Sequence, residues 1–426
     1  MSLPRLVLPL APLLQRGAGA HRAAQRLHPA AGRRAALCLG AASLCALVAC
    51  GGGGSAADPT TGTPPPVANG ALTRGAITGF GSIIVNGVRF DDSAALVYDD
   101  DGQRRGRDDL RLGAQVDIES SSVDRVAGTA TATTIRYGSE IVGPLASVDV
   151  ASSRLVLLGQ TVAVTTTTVF DDSLRGGLAG LVPGMVLEVH AQFDAGRGVY
   201  VASRIEDKAA PAFYKLRGIV SALNTASRSF NIGAASIQYG SAGEVRAGLA
   251  NGQWVKVELR TTPVAGHWVA NRVLGEDRSS SSDRSEVEVK GRISSYTSAT
   301  QFSVDGLTVD ARSASFPEGQ AGVVAGALVE VEGALVNGVL VARKVSLEDS
   351  DDDHDEDFEL HGSVSGHDPV AKTFVLRGLA VSYAGPVEYR DGASEASVVN
   401  GARLEVKGVL SADGTQLRAT RIAVED

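Results

Sequence analysis

Cysteine is almost absent from this sequence of 426 residues, and its three copies, Cys38, Cys45 and Cys50, all fall within the first 50. The rest of the chain therefore has no disulfide, no thiol nucleophile and no zinc–cysteine site. Methionine occurs twice and aromatic residues make up only 5 %. Leucine-rich helical stretches give way to valine, threonine, serine and 50 glycines, a composition that favours strands and turns. Positive charge is in deficit, with 40 Lys and Arg against 48 Asp and Glu. That balance argues against nucleic acid, and against an anionic membrane surface held by charge alone.

The first 50 residues differ from the rest. They hold six arginines (Arg5, Arg16, Arg22, Arg26, Arg33, Arg34) and no Asp, Glu or Lys. An apolar run follows from Ala35 to Ala49, too short for a comfortable membrane-spanning helix and right for the core of a signal peptide. It ends Leu47-Val48-Ala49-Cys50-Gly51, which resembles the bacterial lipobox. That resemblance implies cleavage before Cys50 and acylation of its sulfur. Arg33-Arg34 lacks the surroundings of a twin-arginine signal. Residues 51–73, with Gly51 to Gly54 and Pro64-Pro65-Pro66, read as a flexible tether.

From Arg74 onward one pattern of about 70 residues occurs five times. Each copy opens on a glycine with an apolar residue two places on: Gly75/Ile77, Gly143/Leu145, Gly218/Val220, Gly291/Ile293 and Gly362/Val364. A tight hairpin follows, clearest at Asn86-Gly87, Asp305-Gly306 and Arg377-Gly378, and looser in copies two and three. Next comes a glycine with apolar residues at +3 and +5 and a charge between them, as in Gly113/Val116/Asp117/Ile118 and Gly326/Val329/Glu330/Val331. Period two with a charge in the middle means one buried and one wet face. The last strand carries Ala, two mostly polar residues, then Ile or Val, from Ala132/Ile135 to Ala419/Ile422.

Short sheets with free edges in adjacent copies would aggregate, and closing each into a barrel removes the edges. The expected fold class is all-β: tandem small antiparallel β-barrels, OB-like, with about five or six strands each, after a signal peptide and flexible tether. A continuous β-solenoid is the alternative. The expected layout is signal peptide 1–49, tether 50–73, repeat 1 at 74–138, repeat 2 at 139–208 and repeat 3 at 213–276. A serine-rich linker (277–285), repeat 4 (286–348), an acidic linker (349–357) and repeat 5 (358–426) complete it. The polar links read as joints between partly independent beads. Copy one, GAITGFGSIIVNGVRFDDSAA from Gly75 to Ala95, resembles a family of tandem domains of unknown function found in Gram-negative lipoproteins. The resemblance is good over Gly75–Ile135 and looser over the later copies. It implies a β-rich secreted repeat protein and brings no catalytic residues.

Candidates for chemistry are few. The acidic run Asp349 to Asp357, with His354 inside it, lacks the glycine-punctuated spacing of a calcium loop and reads as a solvated linker. Asp99-Asp100-Asp101-Gly102, with Asp108 and Asp109 nearby, reads as an acidic turn. None of His190, His267, His354, His361 and His367 lies in a zinc motif, and the grouping of His354, His361 and His367 at the start of repeat 5 reads as a chance surface cluster rather than a site. No G-x-S-x-G elbow occurs, and Gly79-Phe80-Gly81 lacks the third glycine of a dinucleotide loop and reads as a bend. Trp254 sits at an outward position, with Trp268 near in sequence, and fits either packing on a neighbouring copy or a sugar-stacking spot.

The expectation is a non-enzymatic, lipid-anchored cell-envelope protein, of the outer membrane with its face undetermined. It would act as a spacer or interaction scaffold. No catalytic, cofactor or metal residue is expected, and Cys50 is the lipidation site. Its partners would be the membrane, through the acyl anchor, and an envelope protein or glycan. The alternative is a carbohydrate- or ligand-binding module of the periplasm or cell surface.

Overall fold

Alternating apolar residues build the same five strands in every repeat. The structure, a computed structural model, describes residues 68–275, 283–348 and 358–424. In repeat 1 the strands are Ala68–Gly79, Ile83–Val85, Val88–Asp91, Gln115–Ser120 and Thr129–Tyr137. The first pairs with the second and the second with the third, both antiparallel. The third then runs parallel to the fifth, the fifth pairs antiparallel with the fourth, and the fourth returns to the first. The barrel is closed. Five strands, an odd number, cannot close with antiparallel pairs alone, which is why one pair is parallel.

The same circuit runs through repeat 2 (141–207) and repeat 3 (214–275). It recurs in repeat 4 (284–347) and repeat 5 (358–424), whose first strand is broken into Phe358–Ser363 and Ser365–Asp368. The architecture is therefore all-β: tandem, small, five-stranded OB-like barrels.

Two of the repeated glycines serve different physical needs. The glycine before the fourth strand always has positive φ: Gly113 (79°), Gly184 (96°), Gly252 (84°), Gly326 (81°) and Gly401 (87°). A side chain there would force a left-handed backbone that L-residues avoid. The opening glycine does not have positive φ. In repeats 1 to 4 it lets the end of the second strand or the turn after it come close over the first. A Cβ on Gly143 would lie 2.5 Å from Leu158, and one on Gly218 2.5 Å from Ile232.

The fifth strand carries a bulge in every repeat. Its register slips between the partners of Glu119 and Ser120, His190 and Ala191, Glu258 and Leu259, Glu332 and Gly333, and Lys407 and Gly408. Residues three apart normally face opposite sides of a strand. The extra residue corrects the parity, so Ala132 and Ile135 both point inward, 2 % and 0 % exposed, as do their counterparts through Ala419 and Ile422.

The repeats do not behave as beads, and here the reading from polar links needs correction. All five lie in one compact unit, Thr63–Asp426. Repeats 2 and 3 share one apolar core, and repeats 1 and 5 share another. The first strand of repeat 1 begins at Ala68, inside the stretch read as tether. Its first half runs parallel to Arg284–Val289 of repeat 4, a strand that itself begins inside the serine-rich stretch. Leu72 from this segment is buried in the core of repeat 4. Lys215 and Leu216 of repeat 3 pair with Val142 and Ile141 of repeat 2. Leu72, Val142 and Lys215 at these joints face outward from their own barrels, at positions that a copy-against-copy comparison cannot register.

Candidate functional site

The side chains that could do chemistry gather where barrels meet. Asp99 ends a short strand, and its carboxylate accepts the backbone N–H of Asp101 at 3.1 Å and of Gln103 at 2.8 Å. That turn projects Asp100 into repeat 3. One Asp100 oxygen lies 2.9 Å from both Lys215 Nζ and Arg217 Nη2. Lys256 Nζ donates to the Asp100 carbonyl at 2.6 Å and to Asp101 Oδ1 at 2.5 Å. Burial pushes the Asp100 carboxyl up, but the three cations outweigh it and hold the group well below the usual carboxylate range. The acidic turn is thus a charged plug between repeats, not a solvated loop. Asp108 and Asp109 stay exposed, and Asp109 accepts the Gly106 N–H at 2.9 Å.

Beside the plug, a cleft of about 440 Å³ opens between repeats 1, 2 and 3. His190 borders it, 3 % exposed, with Nδ1 2.9 Å from the Gly138 carbonyl. Burial lowers the His190 pKa, so the ring is neutral near pH 7, and the carbonyl, an acceptor only, fixes the proton on Nδ1. Glu188 is paired with Lys208 at 2.5 Å and receives the Ser139 hydroxyl at 2.8 Å. Burial raises its pKa, and the neighbouring cations Lys215 and Lys208 bring it down to about 2. Asp100 and Glu188 each have fixed cationic partners, so neither is poised to take a proton near pH 7.

Glu359, His361 and Glu405, where repeat 5 meets repeat 1, could hold a metal by distance alone, with one ligand atom from each within 4.8 Å of the others. Two cations argue against it. Arg89 of repeat 1 grips Glu359 with both guanidinium branches, at 2.8 and 2.7 Å. Lys407 Nζ lies 2.8 Å from Glu359 and 3.9 Å from Glu405. Burial pushes Glu359 up, and Arg89, His361 and Lys407 together hold it far below its ordinary value. The cluster is an ion-pair joint. Gly79-Phe80-Gly81 belongs to the same joint: the Phe80 N–H donates to the Glu359 carbonyl at 2.7 Å, and Arg377 lies over the Phe80 ring at 4.4 Å.

The remaining candidates are dispersed. His367 meets the Tyr383 hydroxyl at 2.7 Å, and His267 meets the Ser236 hydroxyl at 2.9 Å. Trp254 packs edge-on against Phe193 of repeat 2 at 5.9 Å and against Gly306 of repeat 4, so it is a packing residue. Trp268 packs edge-on against Tyr214 instead. Cys50 and the run Asp349–Asp357, His354 included, lie outside the described residues.

One site escaped the sequence reading. A cavity of about 200 Å³ lies where repeats 1, 2, 4 and 5 converge. Thr165, Thr166 and Thr167, in the connection after the third strand of repeat 2, line it together with Gln115, Gln192 and Ser203. Ser203 is the extra residue of the repeat 2 bulge and receives the Gln115 amide at 3.0 Å. The backbones of repeats 1 and 2 nearly touch here, since a Cβ on Gly113 would sit 2.5 Å from the Ser203 carbonyl. Lys290 and Arg292 of repeat 4 and Phe358 of repeat 5 complete the wall. The only sequence signal was the polarity of outward positions, a property shared with every solvated strand.

No curated protein matches the chain. A solved structure titled "drosophila Unr CSD456" is similar at 15 % identity, over 48 % of this chain and 96 % of that one, with a TM-score of 0.16. The family described as "Domain of unknown function (DUF5666)" matches four times, at 142–206, 217–273, 290–346 and 361–423. These are repeats 2 to 5, so the later copies carry the family likeness and repeat 1, the copy that read as clearest, is not among the matches. Together the matches span more than half of the sequence. The chain is a tandem-repeat member of the DUF5666 family, with a fifth barrel of the same topology at its N-terminal side.

Proposed function

We propose that this protein is a lipid-anchored cell-envelope scaffold whose five barrels work together without catalysing a reaction. One observation carries the reading: the barrels exchange strands and buried charges. The parallel pairing of Ala68–Arg74 with Arg284–Val289 and the Asp100 contacts with Lys215 and Arg217 join repeats distant in sequence. Such joints shorten the chain's reach, which favours an interaction scaffold over an extended spacer. At the joints with repeats 3 and 5 the acids Asp100 and Glu359 are each held by cations, which supports a non-enzymatic role. The anchor rests on the Leu47-Val48-Ala49-Cys50 motif.

Intact-mass analysis of the protein from a bacterial host tests the anchor. The expected species begins at Cys50 and carries acyl mass, and Cys50→Ser abolishes it. Cleavage elsewhere without lipid would overturn the anchored reading. A pull-down of the full chain against envelope extract tests the scaffold, and recovery of no partner above a denatured control would count against it. A second reading, a ligand-binding module, is favoured by the cavity at the repeat junction.

A further inference from the structure

The junction cavity has properties that a packing defect between barrels would not share. We infer that it is a binding site for one small, uncharged polyhydroxylated molecule, of the size of a single hexose or cyclitol. The scaffold reading does not depend on this, and the experiment below fails independently of the lipid and pull-down tests.

Size sets the first limit. About 200 Å³ is below the range of roughly 300–1,000 Å³ that encloses drug-sized ligands. It is the room of about six waters at their liquid volume. A six-membered ring with its hydroxyls matches that room.

Chemistry sets the second. The polar wall is built of groups that both donate and accept: the hydroxyls of Thr165, Thr166 and Thr167 and the amides of Gln115 and Gln192. A ring of hydroxyls, each also donor and acceptor, is the complementary ligand. Apolar surface from Ile77, Val169 and Phe358 suits the C–H faces of such a ring.

Charge sets the third. Lys290 and Glu330 are opposite one another in register, and Lys290 is also 2.9 Å from Glu348. Arg292 donates to the Gly326 carbonyl at 3.3 Å. Lys290 therefore faces two carboxylates and Arg292 a backbone carbonyl, so both cations are already engaged, which favours a neutral guest over an anion.

The fourth observation is specific to one copy. Thr165 to Thr168 form an unbroken run in repeat 2. The same connection in the other repeats, at 92–95, 239–242, 311–314 and 383–386, contains no threonine. Repeat 2 is also the copy whose connection lines the cavity. Threonine is stiff at χ1, so its hydroxyls are held in place before a ligand arrives.

Saturation-transfer NMR on the full-length protein tests the inference, with myo-inositol, D-glucose and N-acetyl-D-glucosamine as neutral probes and D-glucuronate as the charged control. The expected result is saturable transfer to at least one neutral probe and weaker transfer to glucuronate. Combined Thr165→Val, Thr166→Val and Thr167→Val keeps the branched shape and removes the hydroxyls, so affinity should fall at least about tenfold. The matching Thr→Ser set should retain binding and guards against a folding artefact. Absence of saturable transfer from all three neutral probes overturns the inference. So does binding that the valine set leaves unchanged, or a preference for glucuronate.

Discussion

Asp100 of repeat 1 and Arg217 of repeat 3 meet at 2.9 Å, with both side chains under 10 % exposed. Removing one partner of a buried pair leaves the other charged and unsolvated. Asp100→Asn would take a buried carboxylate from both Arg217 and Lys215. The expected cost is about 3–5 kcal/mol in urea unfolding. Lys208→Met, which removes a cation exposed to 46 %, should cost about 1 kcal/mol or less. Equal effects would mean that the plug is not a structural joint.

Glu288 should make stability fall as pH rises. It lies at the joint of repeats 1 and 4, its side chain 8 % exposed, with Arg125 3.8 Å away and shared with Glu286 and Glu332. Burial and the neighbouring Glu330 push its pKa up to about 7. A raised acid binds its proton more tightly when folded. Its stabilising effect is therefore full below the unfolded value, near 4.5, and is lost as pH rises towards 7. Glu288→Gln should gain about 3 kcal/mol over the parent at pH 8 and nothing comparable at pH 4. Chemical denaturation at the two pH values checks this, and a gain of equal size at both would refute the assignment.

Leu72 should support a barrel that it does not belong to. Leu72→Ala opens a cavity in repeat 4 and should cost about 2–5 kcal/mol. Hydrogen exchange should then speed up at Arg284–Val289 as well as in repeat 1. Loss of protection confined to repeat 1 would rule out the shared strand.

Gly184 and Gly113 separate two sources of strain. Gly184 has φ of 96° and open space around its missing side chain, so Gly184→Ala should cost about 1–2 kcal/mol from backbone strain alone. Gly113 has φ of 79° and the Ser203 carbonyl 2.5 Å from where a Cβ would be. Gly113→Ala should cost clearly more and should loosen repeat 1 from repeat 2. Thermal unfolding of the two variants provides the comparison.

Adding zinc or a chelator should leave the melting temperature unchanged, because Arg89 and Lys407 already neutralise Glu359. A zinc-dependent rise abolished by His361→Ala would reverse that assignment.

The strands were legible because their inward residues repeat. Gly113/Val116/Ile118 and its counterparts mark a half-buried strand five times over. The bulge was legible too, though in a form easily passed over: Ala and Ile three apart, both apolar, violate strand parity unless a residue is extra. The assembly was not legible. Its contacts come from positions that differ among copies, such as Gln115, Trp254 and Leu328 at the same place in their strands. An acidic turn bound to repeat 3 has the same composition as one bound to water. The cavity was hidden for the same reason, since Gln115 of repeat 1 and Thr165 of repeat 2 acquire a common purpose only once two barrels are docked.

The shared strand also dictates an order of assembly. Arg74 donates to the carbonyl of Asp305, 231 residues further along the chain. A polypeptide that emerges N-terminus first displays Ala68–Arg74 long before its partner strand exists. Contacts of such separation slow folding, and an unpaired edge in the interval invites association with other chains. Repeat 1 can therefore complete its packing only after repeat 4 has been delivered, so the earliest barrel to appear is among the last to be finished.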